Sequence, residues 1–303
     1  MAISRSQLVK ELEPGLNALF GLEYKRYENQ HAEIYTTESS DRAFEEEVML
    51  SGFGNAQVKG EGSGVSFDEA QETFTARYTH ETVALAFAIT EEAIEDNLYD
   101  RLASRYTKAL ARSMSNAKQV KAVEPLIQGL PTTDNFDSGD GVSLFNTSHP
   151  TVSGTFANTL ATQADLNETS LEQSMIDIAA MTDERGLRIA ARGVKMIIPS
   201  ELQFTAERLM KSQGRTGTAD NDVNAIVSMG MIPQGYRVNN YLTDSDAFYI
   251  LTDIPNGMKM FNRAPLTTAM EGDFDTGNVR YKARERYSFG VSDPRGIFGV
   301  EGA

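Results

Sequence analysis

Between residues 90 and 123 the apolar positions recur mostly in steps of four: Ile94, Leu98, Leu102, Tyr106, Leu110, Met114, Ala117 and Val120. That spacing predicts one long helix whose apolar stripe winds slowly around it, unlike the constant seam of a coiled coil. Thr90 can cap it by accepting from an orphan backbone N–H, and Pro125 is expected to stop it. At 1.5 Å per residue the rod is roughly 50 Å long, too long for an ordinary compact domain. Acids crowd its first third (Glu91, Glu92, Glu95, Asp96, Asp100). Bases such as Arg101, Arg105, Lys108 and Arg112 follow, an order that complements the helix dipole.

A second pattern has period two. From Val279 to Val291 the odd positions are Val, Tyr, Ala, Glu, Tyr, Phe and Val, and Arg280, Lys282, Arg284 and Arg286 stand between them. This predicts a strand of roughly 40 Å with one basic face, interrupted only at Glu285 on the other. Residues 74–89 also alternate, but the phase slips near Glu81 and Thr82, which predicts a bulge or bend. Shorter signals follow the long helix. Ser170 with Gln173 reads as a capping box opening a helix that Gly186 closes. A short buried strand at 194–198 precedes Pro199, and Ser200 with Gln203 repeats the capping logic. A short helix at 223–229 ends at Gly230, and 236–238 and 247–252 read as strands. Residues 188–268 therefore read as a compact α+β domain.

The remaining segments lack a core of their own. Residues 1–40 carry Leu8, Leu12, Leu16, Leu19 and Phe20 near helical spacing, interrupted by Pro14, and read as an extended arm with a short helix. Residues 41–73 are polar and rich in glycine. Lys59 precedes Gly60 and is followed by Glu61, so the phosphate-loop pattern is absent and a long hairpin loop is the better account. Residues 131–168 are polar and turn-rich. Asp134, Asp137 and Asp140 are three apart and lack the distal glutamate of a calcium loop.

Charge and composition narrow the function. The chain has 303 residues, a net charge of −15 and no cysteine. The absence of cysteine removes disulfides, thiolate metal sites and cysteine nucleophiles, and the acidity argues against a free-standing nucleic-acid binder. No apolar run is long enough for a membrane helix, and the N-terminal stretch has no secretory h-region. His31, His80 and His149 are far apart in sequence, with no H-x-x-x-H pair and no G-x-S-x-G elbow. No enzyme, metal or cofactor is expected.

The order of parts resembles the tailed-phage major capsid protein, the shell fold named after phage Hong Kong ninety-seven. Three strings are similar to those of phage major head subunits, including the Mu-like group: SLFNTSHPT (143–151), IIPSELQFTAERLMKS (197–212) and YSFGVSDPRGIFG (287–299). The resemblance implies an α+β phage major capsid fold. Residues 1–40 would be an N-terminal arm and 41–84 an extended E-loop hairpin. Residues 85–187 and 269–303 would form a peripheral domain with a spine helix at 91–123, and 188–268 an axial domain.

The implied function is a structural head protein that assembles through pentamers and hexamers into an icosahedral shell around double-stranded DNA. An encapsulin-like protein compartment is the alternative. Implied partners are other copies, portal and scaffold proteins, an optional decoration protein, and packaged DNA through non-specific contact only, with no membrane. The implied location is the virion capsid, after assembly in the bacterial host cytoplasm. Met1 leads directly into the arm, which implies a separate scaffold protein. Lys59 lies in the loop that some members crosslink, but no matching asparagine and acid are found. Maturation would bend or shear the spine helix and long strand. The acids Glu91, Glu92, Glu95, Asp96 and Asp100 are candidates to face Arg280, Lys282, Arg284 or Arg286, within the subunit or across to a neighbour.

Overall fold

A computed structural model describes residues 5–90, 92, 99–133, 135–214, 222–273 and 277–303. The N-terminal helix α1, Arg5–Arg26, is longer than the expected short helix and carries Pro14 inside it. Pro14 is exposed, so water can satisfy the carbonyl that its missing N–H leaves free. The long helix α2 is described over Tyr99–Gln128, about 45 Å at 1.5 Å per residue. Its expected start at Thr90 lies next to residues outside the described set.

Pro125 does not stop α2, which runs to Gln128. An interior proline disfavours a helix by about 3 kcal/mol. Here Ala122, Val123, Leu126 and Leu130 flank it and are each no more than 1 % exposed. Burying side chains of that size contributes about 1.5–3 kcal/mol each for the larger ones, so packing outweighs the proline.

Among the described residues the strands fall into two four-stranded sheets and two two-stranded ones. The first sheet has the order β1 (Thr36–Ser39), β10 (Met258–Gly272), β11 (Val279–Val291), β4 (Glu81–Ile89). β11 is antiparallel to both neighbours, with Tyr281 opposite Phe87 and Met270. Its Tyr281, Ala283, Glu285 and Tyr287 are buried, whereas Arg280, Lys282 and Arg284 are exposed. Leu16 and Phe20 of α1, Leu110 and Met114 of α2, and Tyr281 and Ala283 of β11 share one core.

The phase slip in 74–89 is resolved as two strands on either side of His80. β3 (Glu72–Thr79) pairs with β2 (Phe44–Leu50) in a separate hairpin, and β4 joins the first sheet. In the polar 131–168 region β5 (His149–Thr151) and β6 (Gly154–Phe156) make a short hairpin.

The second sheet has the order β12 (Ile297–Val300), β9 (Phe248–Thr252), β7 (Gly193–Ile198), β8 (Tyr236–Val238). It packs with α3 (Glu168–Ala180), α4 (Gln203–Lys211) and α5 (Ala225–Ser228). This core draws on Leu160, Leu171, Phe298 and Val300, so it extends beyond the 188–268 span read from the sequence. Conversely, β10 carries residues from Met258 onward into the first sheet.

Three capping assignments change. Asn167 caps α3, its side chain accepting from Ser170 N while Ser170 Oγ accepts from Asn167 N. Ser170 is therefore the third helical residue. Gly186 does not close α3, which ends at Ala180; with φ +80° it sits in the following turn. Ser200 opens a short 3-10 turn, and its hydroxyl bonds Glu201 instead of capping α4.

Candidate assembly surfaces

The β2–β3 hairpin reaches out from the first sheet and is held firmly at its base. Lys259 Nζ, on β10 and only 7 % exposed, bonds Glu47 at 2.5 Å and Glu38 at 3.2 Å. Burial alone would lower the Lys259 pKa, but these two carboxylates outweigh it and the net shift is upward. Tyr78 Oη meets Ser292 Oγ at 2.5 Å, and His80 bridges Ser288 and Ser40 at 2.9 Å each. Beyond Leu50, Ser51 N bonds Gln71 O and closes the neck of the loop. The loop curls so that Asp68 accepts from Gly54 N at 2.7 Å, and Arg185 grips Asp68 and the Glu69 carbonyl. The tip side chains Val58 and Phe67 are 100 % and 95 % exposed.

The segment after α1 is docked on α2 by buried polar contacts. His31 N donates to Gln119 Oε1 at 2.9 Å, and Tyr35 Oη donates to the Ala122 carbonyl at 2.6 Å. Burial, reinforced by the nearby Lys118 charge, lowers the His31 pKa to about 4. One more contact ties three elements. Glu285 is 2 % exposed and bonds Lys118 of α2 at 3.2 Å, while the Tyr24 hydroxyl of α1 faces the same carboxylate. Burial raises the Glu285 pKa, and Lys118 only partly offsets it. The interruption at Glu285 is thus a buried charge joining α1, α2 and β11.

The expected pairing of helix acids with strand bases can be followed only in part. Glu91, Glu95, Asp96 and the Asp100 side chain lie outside the described residues, and Glu92 is exposed. Arg280 bonds Asp273 at 2.5 Å. The described helix–strand ion pairs run the other way: Lys118 with Glu285, and Lys121 of α2 with Glu81 of β4 at 2.6 Å.

A second buried cluster joins two of the three sequence strings. His149, fully buried, places Nδ1 2.6 Å from Asp140 Oδ2 and Nε2 2.9 Å from Asn158 Oδ1. Asn158 Nδ2 donates to the carbonyls of Leu144 and Pro294, so its oxygen is the face turned to His149. Burial pushes the Asp140 pKa up, but hydrogen bonds from His149 and Ser138 more than offset it and the net shift is downward. His149 stacks on Phe156, whose ring also lies under Arg295 at 4.2 Å, and Arg295 bonds Glu184 at 2.5 Å and Asp293 at 3.3 Å. Arg295 lies in the string 287–299 without a role read from it, and Asn158 lies in none of the three strings. Among the described residues no group of histidine and acidic side chains could hold a metal, and no helix is long and apolar enough to cross a membrane.

A family model for phage capsid protein matches residues 72–300. No curated protein sequence matches the chain significantly. Among solved structures the chain is similar to the capsid of cyanophage P-SCSP1u, with a TM-score of 0.56 and 11% identity, over 89% of this chain and 86% of that one. It is similar to the capsid of Myoviridae phage XM1, with a TM-score of 0.53 and 12% identity over 89% of each chain. It is also similar to a virus-like particle from Pyrococcus furiosus, with a TM-score of 0.55 and 10% identity over 95% and 98% of the two chains. At such identities the structures establish the fold, and the family match covers most of the sequence. The chain belongs to the phage capsid protein family and has the fold of a phage major capsid (head) protein.

Proposed function

We propose that copies of this chain close, through pentamers and hexamers, into an icosahedral shell around double-stranded DNA, and that the protein's role is structural and not enzymatic. One observation carries the reading beyond the family. The hairpin is locked at its base by Lys259, yet it holds Val58 and Phe67 almost wholly in solvent at its tip. Phe53 and Val65 of the same loop are exposed too, and apolar side chains gathered on one exposed element mark a surface for another protein. Contacts in which one surface meets a different surface, repeated around a ring, close into capsomers.

In this reading residues 1–40 serve as the arm and 41–84 as the E-loop. Residues 85–187 with 269–303 serve as the peripheral domain, and 188–268 as the centre of the axial domain. Portal, scaffold and decoration proteins are partners from outside the chain, and packaged DNA meets the shell without sequence preference. Assembly takes place in the host cytoplasm. The test is to express the full chain alone and with the products of neighbouring genes, then image the material by electron microscopy. Closed shells, filled with DNA when the packaging proteins are present, are expected. Shells that enclose a protein cargo would favour the compartment alternative, and a lone monomer under every condition would overturn both.

A further inference from the structure

Asn158 is fully buried, and its partners fix which way its amide points. Its Nδ2 donates to the carbonyls of Leu144 at 2.7 Å and Pro294 at 3.0 Å, and its Oδ1 accepts from Asn146 N at 2.9 Å. Turned the other way, the amide would set its oxygen against two carbonyls and its nitrogen against an N–H. The same Oδ1 lies 2.9 Å from His149 Nε2, so that nitrogen carries a proton. On the other side of the ring, Nδ1 stands 2.6 Å from Asp140 Oδ2. A neutral ring with its proton on Nε2 would aim a bare lone pair at a carboxylate oxygen across that gap, which is repulsive. One further proton therefore lies between Nδ1 and Oδ2.

Two neighbours keep that proton on the ring, as an imidazolium beside a carboxylate. Asp140 Oδ1 accepts from Ser138 Oγ at 2.7 Å, which favours the ionised acid. Phe156 stacks on the imidazole with centroids 4.7 Å apart and planes at 15°, offering its π face to a cation. Among the described residues Asp140 is the charged side chain that meets the ring directly. Beyond Phe156 stands Arg295, itself paired with Glu184 and Asp293. The His149 and Asp140 side chains are both buried, so bulk water screens neither.

The pair stands where separate parts of the chain meet. The 137–141 turn, which carries Asp140, presses on β3: a Cβ added at Gly139 would stand 2.8 Å from the Thr75 carbonyl oxygen. Asn158 holds the Pro294 carbonyl with its side chain, and its own carbonyl accepts from Gly299 N at 3.0 Å. The turn Pro294–Gly296 is where the chain leaves β11 in the first sheet and enters β12 in the second. If the ring gives up one proton, Nδ1 changes from donor to acceptor and repels Asp140. The 137–141 turn, the β5–β6 hairpin and the crossover between the sheets then lose their common tie.

We propose that Asp140 and His149 form a proton lock on the crossover between the two sheets, closed while the ring carries both protons and opened by alkali. It is a property of the single subunit, whether or not copies assemble. Above about pH 6.5 a histidine in the unfolded chain is neutral, whereas the folded pair keeps its proton. The fold then binds more protons than the unfolded chain, so this contribution is full below that value and is lost as pH rises. One proton changes the folding equilibrium by up to about tenfold per pH unit. His31 and His80, both shifted downward chiefly by burial, exchange their protons below that range.

The test uses the full-length chain, wild type and Asp140→Asn. Asparagine keeps the size of the side chain and donates an N–H to a bare Nδ1, so in the variant a neutral ring satisfies every partner. Histidine nitrogen NMR of the wild-type chain is taken at about pH 7.5, where an ordinary histidine is about nine-tenths neutral. Both His149 nitrogens should be protonated there. Denaturant unfolding from about pH 6.5 to about pH 9 should show the alkaline decline in the wild type and a flatter curve in Asp140→Asn. Amide exchange at Asn158 and Gly299, corrected for its intrinsic rise with pH, should accelerate in the wild type alone as the ring loses its proton. A bare Nδ1 in the wild-type chain would overturn the inference, even if Asp140→Asn fails to fold. So would an alkaline slope unchanged in the variant. Loss of the ring proton with no change in exchange at Asn158 and Gly299 would equally refute the lock.

Discussion

Removing Lys118 should harm the fold more than removing its partner, and the excess should depend on pH. Lys118→Met leaves the Glu285 carboxylate 2 % exposed without its cation. Breaking one side of a buried pair costs about 3–5 kcal/mol when the remaining charge cannot escape. Glu285 can escape by taking a proton. From its ordinary value of 4.5, neutralisation at pH 7 costs at most about 3.4 kcal/mol at 1.36 kcal/mol per unit. Burial already raises this pKa, so the expected loss is about 2–3 kcal/mol.

Glu285→Gln strands Lys118 instead. That ammonium is 14 % exposed and lies 5.0 Å from the centre of the Tyr287 ring, so it retains both water and a cation–π contact. The expected loss is about 1–2 kcal/mol. Replacing both by Met should come close to neutral. The assay is denaturant unfolding of unassembled subunits at pH 7 and again near pH 5. The sign follows from the raised pKa. A carboxyl that prefers its proton in the fold contributes stability below its unfolded pKa and loses it as pH rises through the folded one. The Lys118→Met penalty should therefore shrink on acidification. Equal penalties for the two single variants, or a Lys118→Met penalty unchanged between the two pH values, would refute this account of the contact.

Two further outcomes follow from the same packing. His31 is held neutral, its pKa lowered to about 4 by burial and Lys118. The unfolded chain therefore binds the extra proton first, and stability should fall as pH drops from about 6.5 to 4, by roughly 3 kcal/mol from this residue. In unfolding curves taken across that range, His31→Phe should flatten the slope, since a phenyl ring keeps the edge contact with Phe289; an unchanged slope would assign the acid sensitivity elsewhere. Gly296 packs so closely on Gly257 that an added Cβ would stand 2.3 Å from the Gly257 Cα. Because backbone meets backbone, Gly296→Ala should cost about 3 kcal/mol or more, read as a lowered unfolding midpoint, whereas Gly272→Ala, which meets nothing within 4 Å, should be nearly silent.

Legibility in the sequence tracked how local each cause was. β11 was readable end to end because its two faces meet different surroundings, water on one side and α1 with α2 on the other. β10, just as long, gave no comparable signal. Register shifts between Asn262, Ala264 and Thr267 break its alternation. Pro125 misled because a proline's local penalty was weighed without the core that Leu126 and Leu130 enter. Ser170 misled by one turn because Asn167, three residues earlier, supplies the better cap geometry. The charge pattern on α2 and β11 predicted acids on the helix against bases on the strand. The side chain that faces the described part of the helix is Glu285, the residue that had looked like a flaw. The Asn158 and Arg295 contacts join positions more than one hundred residues apart, and no spacing rule reaches that far.

The place of β11 in the first sheet also sets a clock. β4 is synthesised early, yet its one strand partner among the described residues arrives nearly two hundred residues later, with Val279 against Ile89 and Tyr287 against Glu81. β1 likewise waits for Lys259 and its neighbours on β10. Pairings this distant form slowly, and the pairing of β4 cannot be complete before Tyr287 has left the ribosome. A nascent chain therefore displays its hairpin and arm without the sheet that roots them. The order of synthesis therefore sets the earliest moment at which the sheet beneath the hairpin exists.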